Sequence, residues 1–211
     1  MYVPHFNRVD DAAEIHELVR QVGAADVVTV GPDGTPVSTL LPVMWSEDGT
    51  VVIAHMARAN GHWRHIARAQ QDGEVKALAI VSGLQAYISP SWYAAKAEHG
   101  RVVPTWNYSA VHLTGTVTVH DDAEWVREAV TRLTQTHESG RATPWAVTDA
   151  PETYVTKQLR AIVGVEMRVH IVEAKAKMSQ NRSEADRAGV AGGLAADQDP
   201  RARAMAADIP L

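Results

Sequence analysis

The chain has 211 residues, of which 45% are hydrophobic and 21% charged; it carries a formal net charge of −5 and no cysteine. That length supports one substantial core, and the composition is that of an ordinary soluble globular protein. Without cysteine there is no disulfide, thiolate-bound zinc or iron–sulfur cluster, so any metal is held by nitrogen or oxygen, and no apolar run approaches the roughly 20 residues that span a bilayer. The acidic balance and the lack of a Lys/Arg block or a basic recognition helix argue against direct DNA binding. The amino terminus, Met-Tyr-Val-Pro-His-Phe-Asn, lacks the basic-then-apolar layout of a secretion signal, so a cytoplasmic location is expected.

Along the chain, Ile15, Leu18, Val19 and Val22 fall at helical spacing and predict an amphipathic first helix over residues 10–22. Val27 to Val30 and Pro36 to Met44 read as strands joined by a tight Gly31-Pro32-Asp33-Gly34 turn. A third strand, Thr50 to Arg58, alternates Val51, Ile53, His55 and Ala57 against Val52, Ala54, Met56 and Arg58, so His55 shares a face with core residues. Asn60 is placed to cap a helix over about residues 61–71, whose positive end lies beside Arg58 and Arg64 and suits an anion.

Further strands are expected at Val75 to Val81, Gln85 to Ile88, Val111 to Val119 and Ile162 to Val172. The sixth of these strands puts Val111, Leu113, Val117 and Val119 on its core face and His112 on the other, toward solvent or a dimer partner. Asp121 with Glu124 reads as a capping box before a helix carrying Trp125, Ala129, Val130 and Leu133, and Pro151-Glu152 opens another. One domain over residues 1–195 is expected, followed by a loosely held tail over 196–211. Many strands, many turns and a few peripheral helices predict a mainly β fold with a barrel-like core.

The segment 87–108 stands out, because it gathers Tyr87, Trp92, Tyr93, Trp106 and Tyr108 in a chain that has only 6% aromatic residues. Rings with polar edges beside Ser89, Ser91, Lys96, Glu98, His99, Thr105 and Asn107 suit a pocket for a flat ligand with a charged tail.

Four motifs in order, His55-Met-Ala-Arg58-Ala-Asn60, Tyr87-Ile-Ser-Pro-Ser-Trp92-Tyr93, Val103-Pro-Thr-Trp106-Asn107-Tyr108 and Lys177-Met-Ser-Gln180-Asn181-Arg182, resemble the signatures of the PaiB family, over about residues 1–193. That family is described as FMN-binding negative transcriptional regulators. The resemblance implies a split β-barrel similar to pyridoxamine phosphate oxidases, working as a homodimer with cofactor sites at the subunit interface. Two departures fall near the presumed cofactor loop: Thr39-Leu40-Leu41-Pro42 where the family has Thr-His-Leu-Pro, and Asn60-Gly61 where it has Asn-Pro.

A branch similar to PaiB uses haem as piperazate synthases, closing the N–N bond of N5-hydroxy-L-ornithine. That resemblance makes haem b the first expected cofactor and FMN the alternative, with an amino-acid-like small molecule as substrate. For either planar group, Arg58, Asn60 and Arg64 form an expected cradle, Trp63, Trp92 and Trp106 border the ring, and Ser179, Gln180 and Asn181 close the site. For haem, His62 is the first expected iron ligand, followed by His55 and His65. Candidates for a general base or acid are Tyr93, Glu98, His99 and His112.

Overall fold

The computed structural model describes residues 1–211. The chain divides into two compact units, one of His16–Val81 with His112–Val172, the other of Met1–Ile15, Ser82–Val111 and Glu173–Leu211.

The first unit is built on strands β2 (Ala24–Val30), β3 (Pro36–Trp45) and β4 (Val51–Ala57), with parts of the long strands β5 (Val75–Ile88), β6 (Thr105–His120) and β7 (Ile162–Lys177). The strands run in the order β7-β4-β3-β2-β5-β6, and β6 pairs back onto β7, so the sheet closes into a barrel. The β2–β3 register, Val30 opposite Pro36, is set by the predicted turn: Gly34 takes φ +82°, and the Asp33 carboxylate accepts the Thr35 N–H at 3.0 Å. Alternate positions fill the interior with aliphatic and thioether side chains, Val27 on β2, Met56 on β4, Val81 on β5, Leu113 on β6 and Val163 and Met167 on β7, all buried. Closure requires Gly115, because a Cβ there would lie inside the contact distance of the Arg168 carbonyl oxygen.

Four helices belong to this unit: most of α1 (Ala12–Val22), α5 (Glu152–Leu159) and the two that follow. Helix α2 (His62–Ala69) follows β4 and buries Ile66. Helix α4 (Ala123–Glu138) buries Val126, Ala129 and Leu133, and lays the Trp125 ring where a Cβ on Gly164 would otherwise sit. The cap of α4 differs from the expected capping box: Asp122 accepts the Trp125 N–H at 2.8 Å, while Asp121 is turned to an ion pair with Arg58. The competing partner, a guanidinium, holds Asp121 more strongly than a backbone amide would.

The second unit contains β1 (Arg8–Val9), paired with β7 through Arg8 opposite Lys175, and the remaining lengths of β5, β6 and β7. It also holds the short helix α3 (Ala95–His99), α6 (Glu184–Ala195) and α7 (Pro200–Met205). Its core joins Ile88, Tyr93, Met178, Val190, Leu194, Met205 and Ile209. The tail over 196–211 is therefore not loosely held: Met205 is 0% and Ile209 4% exposed. Alanine-rich stretches hid this, because two apolar anchors spaced four residues apart are enough to seat a short helix and the turn after it. The strands also run further than expected; β5 continues through 82–84, and β6 already begins at Thr105, inside the aromatic segment. Mainly antiparallel strands with peripheral helices are thus what the structure contains, as the alternation predicts.

Candidate cofactor site

In the first unit, the end of β4 and the start of α2 make a compact corner. Asn60 accepts the His62 backbone N–H at 2.9 Å, so it does cap the helix start, and its amide donates to Thr39 at 3.3 Å. The Arg58 carbonyl accepts both the Trp63 indole N–H at 2.9 Å and the Arg64 guanidinium at 3.2 Å. The Arg64 guanidinium carbon lies 4.9 Å from the centre of the Trp63 ring and that of Arg58 5.6 Å from it. Arg64 and His65 are exposed, so this end of α2 presents positive charge.

Arg58 is placed otherwise than a phosphate cradle requires. Its guanidinium pairs with both oxygens of Asp121 and donates to the carbonyls of Arg160 at 3.0 Å and Ile162 at 3.2 Å. The pair raises the arginine pKa and lowers that of Asp121, each chiefly through the side-chain hydrogen bond. Arg58 thus ties β4 to β7 and the start of α4, and Arg64 is the arginine of this corner that remains open to an anion.

The histidines divide cleanly. His62 is 3% exposed, and its ring nitrogens are each 2.8 Å from a threonine hydroxyl, Nε2 from Thr29 and Nδ1 from Thr39. An imidazole so held has no lone pair to offer iron, which corrects the expectation that it ligates haem; its spacing in the altered loop resembles a ligand position, but the two threonines had no sequence signal. Burial, and next the charge of His65, lower its pKa. His55 is half-buried, its pKa lowered by burial, and its Nδ1 is enclosed without a hydrogen-bond partner. Of the three expected ligands it is the one with an enclosed, unpartnered ring nitrogen. No group of three or more His, Asp or Glu side chains is placed to hold a metal ion, though haem iron asks a protein for only one or two donors.

The second unit carries the aromatic segment. Trp92 covers the helix face at Gly193, and Tyr93 is 3% exposed, with its hydroxyl unpartnered and Arg182 4.6 Å over its ring. Such a tyrosine is a core residue rather than an accessible base. Glu98 and His99 stand exposed on α3, and the His99 Nδ1 accepts the Arg101 N–H at 3.0 Å. Trp106 is 47% exposed, and its indole donates to Gln85 at 3.2 Å. Ser179, at φ +64°, meets Asn107 at 3.0 Å in a fully buried pair. Gln180 accepts the Met178 N–H at 2.7 Å, while Asn181 is exposed. The Ser-Gln-Asn segment is therefore a shaped turn, held by its first two side chains, with Asn181 presented outward. His112, on β6 in the first unit, is half-buried.

Comparison with known proteins decides the family. Residues 1–171 match the family described as "Putative FMN-binding domain". The chain belongs to this family. It is also 32% identical, over 208 residues, to the "Protease synthase and sporulation protein PAI 2" of Bacillus subtilis, covering 98% of this chain and 95% of that one. The resemblance to PaiB drawn from the four motifs is thereby borne out. An uncharacterised protein of Aspergillus fumigatus shares 37% identity over 123 residues, 51% of this chain and 47% of its own length. Among solved structures, a FAD and heme binding protein from Mycobacterium smegmatis superposes with a TM-score of 0.60 at 18% identity, covering 86% of this chain and 79% of that one. The flavocytochrome Anf3 from Azotobacter vinelandii gives 0.58 at 17% identity, with 87% and 76% covered. At those identities the likeness is one of fold, and it confirms the split barrel.

Proposed function

We propose that this FMN-binding-family chain binds FMN and acts as a flavin-dependent protein of the PaiB type, as a homodimer. The observation that carries the reading is the family match over residues 1–171, which spans the whole β4–α2 corner. The corner fits the group: the exposed Arg64 suits a phosphate, and Trp63 offers an indole fixed by its own hydrogen bond. Bound flavin supplies one- and two-electron redox chemistry. The chain's own contribution is placement: Asn60 and the Thr29–His62–Thr39 bridge make the corner rigid before any ligand arrives. With a net charge of −5, a regulatory role would run through a partner rather than by reading DNA directly.

One observation favours haem as a second reading, namely the enclosed and unpartnered Nδ1 of His55. The reaction would then be closure of N5-hydroxy-L-ornithine to L-piperazate: the α-nitrogen bonds to the δ-nitrogen, the N–O bond breaks, and water leaves with the α-nitrogen's proton. Of the expected acid–base residues, His112 belongs to the same unit as His55 and would take that proton.

An absorption spectrum of the protein as purified separates the two. Bands at about 370 and 450 nm mark flavin, and a single intense band near about 400 nm marks haem. The absence of a haem band would remove the second reading, haem that survives His55→Ala unchanged would remove His55 as its ligand, and a haem band with no flavin bands would remove the first.

A further inference from the structure

The second unit holds two lysines, one buried and one half-buried, that take part in no ion pair. Lys175 is 6% exposed and Lys177 half-buried, and they stand two apart on β7, hence on the same face. Neither forms an ion pair; Glu173, the carboxylate nearest in sequence, is taken by the amino-terminal ammonium at 2.7 Å. The Lys175 ammonium donates to the Tyr108 hydroxyl at 2.7 Å and to the Tyr2 carbonyl at 3.2 Å. That of Lys177 donates to the Thr105 hydroxyl and, at 2.7 Å, to the Trp106 carbonyl.

An ammonium has three N–H groups, and each of these two uses two of them, so each retains one donor. Tyr108, as acceptor from Lys175, retains its own O–H as a third. Burial lowers the Lys177 pKa; of the smaller effects, Tyr108 raises it and the charges of Lys175 and Arg182 lower it. Uncompensated cations held in place by four neutral acceptors represent a cost to folding that a bound anion would recover. Trp106, whose carbonyl accepts from Lys177, is 47% exposed on β6, and the Tyr87 ring, 50% exposed, lies 6.4 Å from its ring.

We propose that Lys175, Lys177 and Tyr108 form an oxyanion-binding site, and that the open Trp106 ring beside it receives the flat part of the same ligand. The ligand class is an aromatic or heteroaromatic ring bearing a carboxylate or phosphate. Two sources share that chemistry, the phosphate of a flavin and the carboxylate of a substrate. The site stands on this unit's own residues and does not depend on where FMN binds.

The test is calorimetric titration of the full chain with four probes: FMN, riboflavin, benzoate and benzamide. Wild type is compared with Lys177→Met, with Lys177→Arg, which keeps the charge, and with Lys76→Met, which removes a lysine from an exposed position on β5. The loss expected in Lys177→Met is about tenfold or more in the affinity of an anionic probe, the size of one charge-assisted hydrogen bond, with Lys177→Arg and Lys76→Met near wild type. If FMN loses affinity and riboflavin does not, the source is the cofactor's phosphate; if benzoate does and benzamide does not, it is a substrate carboxylate. The site is refuted if no anionic probe binds better than its neutral analogue, or if Lys177→Met and Lys76→Met behave alike. Binding of benzoate without any of FMN would leave the site standing while removing the flavin reading. An unchanged thermal midpoint in Lys177→Met shows that folding is not what is being measured.

Discussion

Acidification should weaken this protein through His62. In the folded state the ring is neutral, because burial and then His65 lower its pKa from the ordinary 6.5. The unfolded chain still titrates near that ordinary value. Above it neither state binds the proton and the stability is intact; below it the unfolded chain takes up a proton that the folded chain refuses. Stability is therefore lost as pH falls below 6.5 toward the lowered folded value. Each refused proton changes the unfolding free energy by about 1.4 kcal/mol per pH unit, so between about pH 7 and about pH 5.5 one such ring removes up to about 1.2 kcal/mol. His55, its pKa also lowered by burial, pulls in the same direction. Urea unfolding at a series of pH values measures the loss, and His62→Gln isolates one ring, since the carboxylates titrate alike in both proteins. The variant should lose about 1 kcal/mol less than wild type over that interval. Equal losses would mean that His62 takes up its proton inside the fold, and that the threonine bridge does not hold it neutral.

Three further outcomes follow from the packing. Gly164→Ala should destabilise by about 1 to 3 kcal/mol, because the new methyl displaces the Trp125 ring from β7, and near-ultraviolet circular dichroism should change with it. Met205→Ala, at a position 0% exposed, should cost about 2 to 5 kcal/mol in chemical denaturation, whereas a loosely held tail would show no change. Asp121→Asn should cost only about 0.5 to 1 kcal/mol, less in high salt, since the two partners are 36% and 56% exposed and Arg58 keeps its bonds to two carbonyls.

The sequence is a good guide where structure is local. The alternation of Val111, Leu113 and Val117 places that strand's core face correctly, and Gly31 to Gly34 announces the turn that sets the β2–β3 register, whereas on β4 the fully buried row is Val52, Ala54 and Met56, the face opposite His55. Asn60 as a helix cap is equally legible, because the signal and its partner lie two residues apart. Partners far apart in the chain are not. Nothing near Arg58 points to Asp121, 63 residues on, or to the Arg160 and Ile162 carbonyls that occupy the rest of its guanidinium. The same distance hides why His62 is unsuited to iron, since Thr29 and Thr39 reach it from β2 and β3. Nothing local in the sequence shows that Lys175 is buried and Lys177 half-buried; that appears only when β6 brings Tyr108 and Thr105 alongside.

The most direct test of the account is a fluorescence titration of FMN with the purified, cofactor-stripped protein. Saturable quenching of the flavin emission at about one FMN per chain, weakened in Arg64→Ala, is the predicted result. Flavin emission that stays unquenched at protein concentrations well above those of the ligand would contradict it.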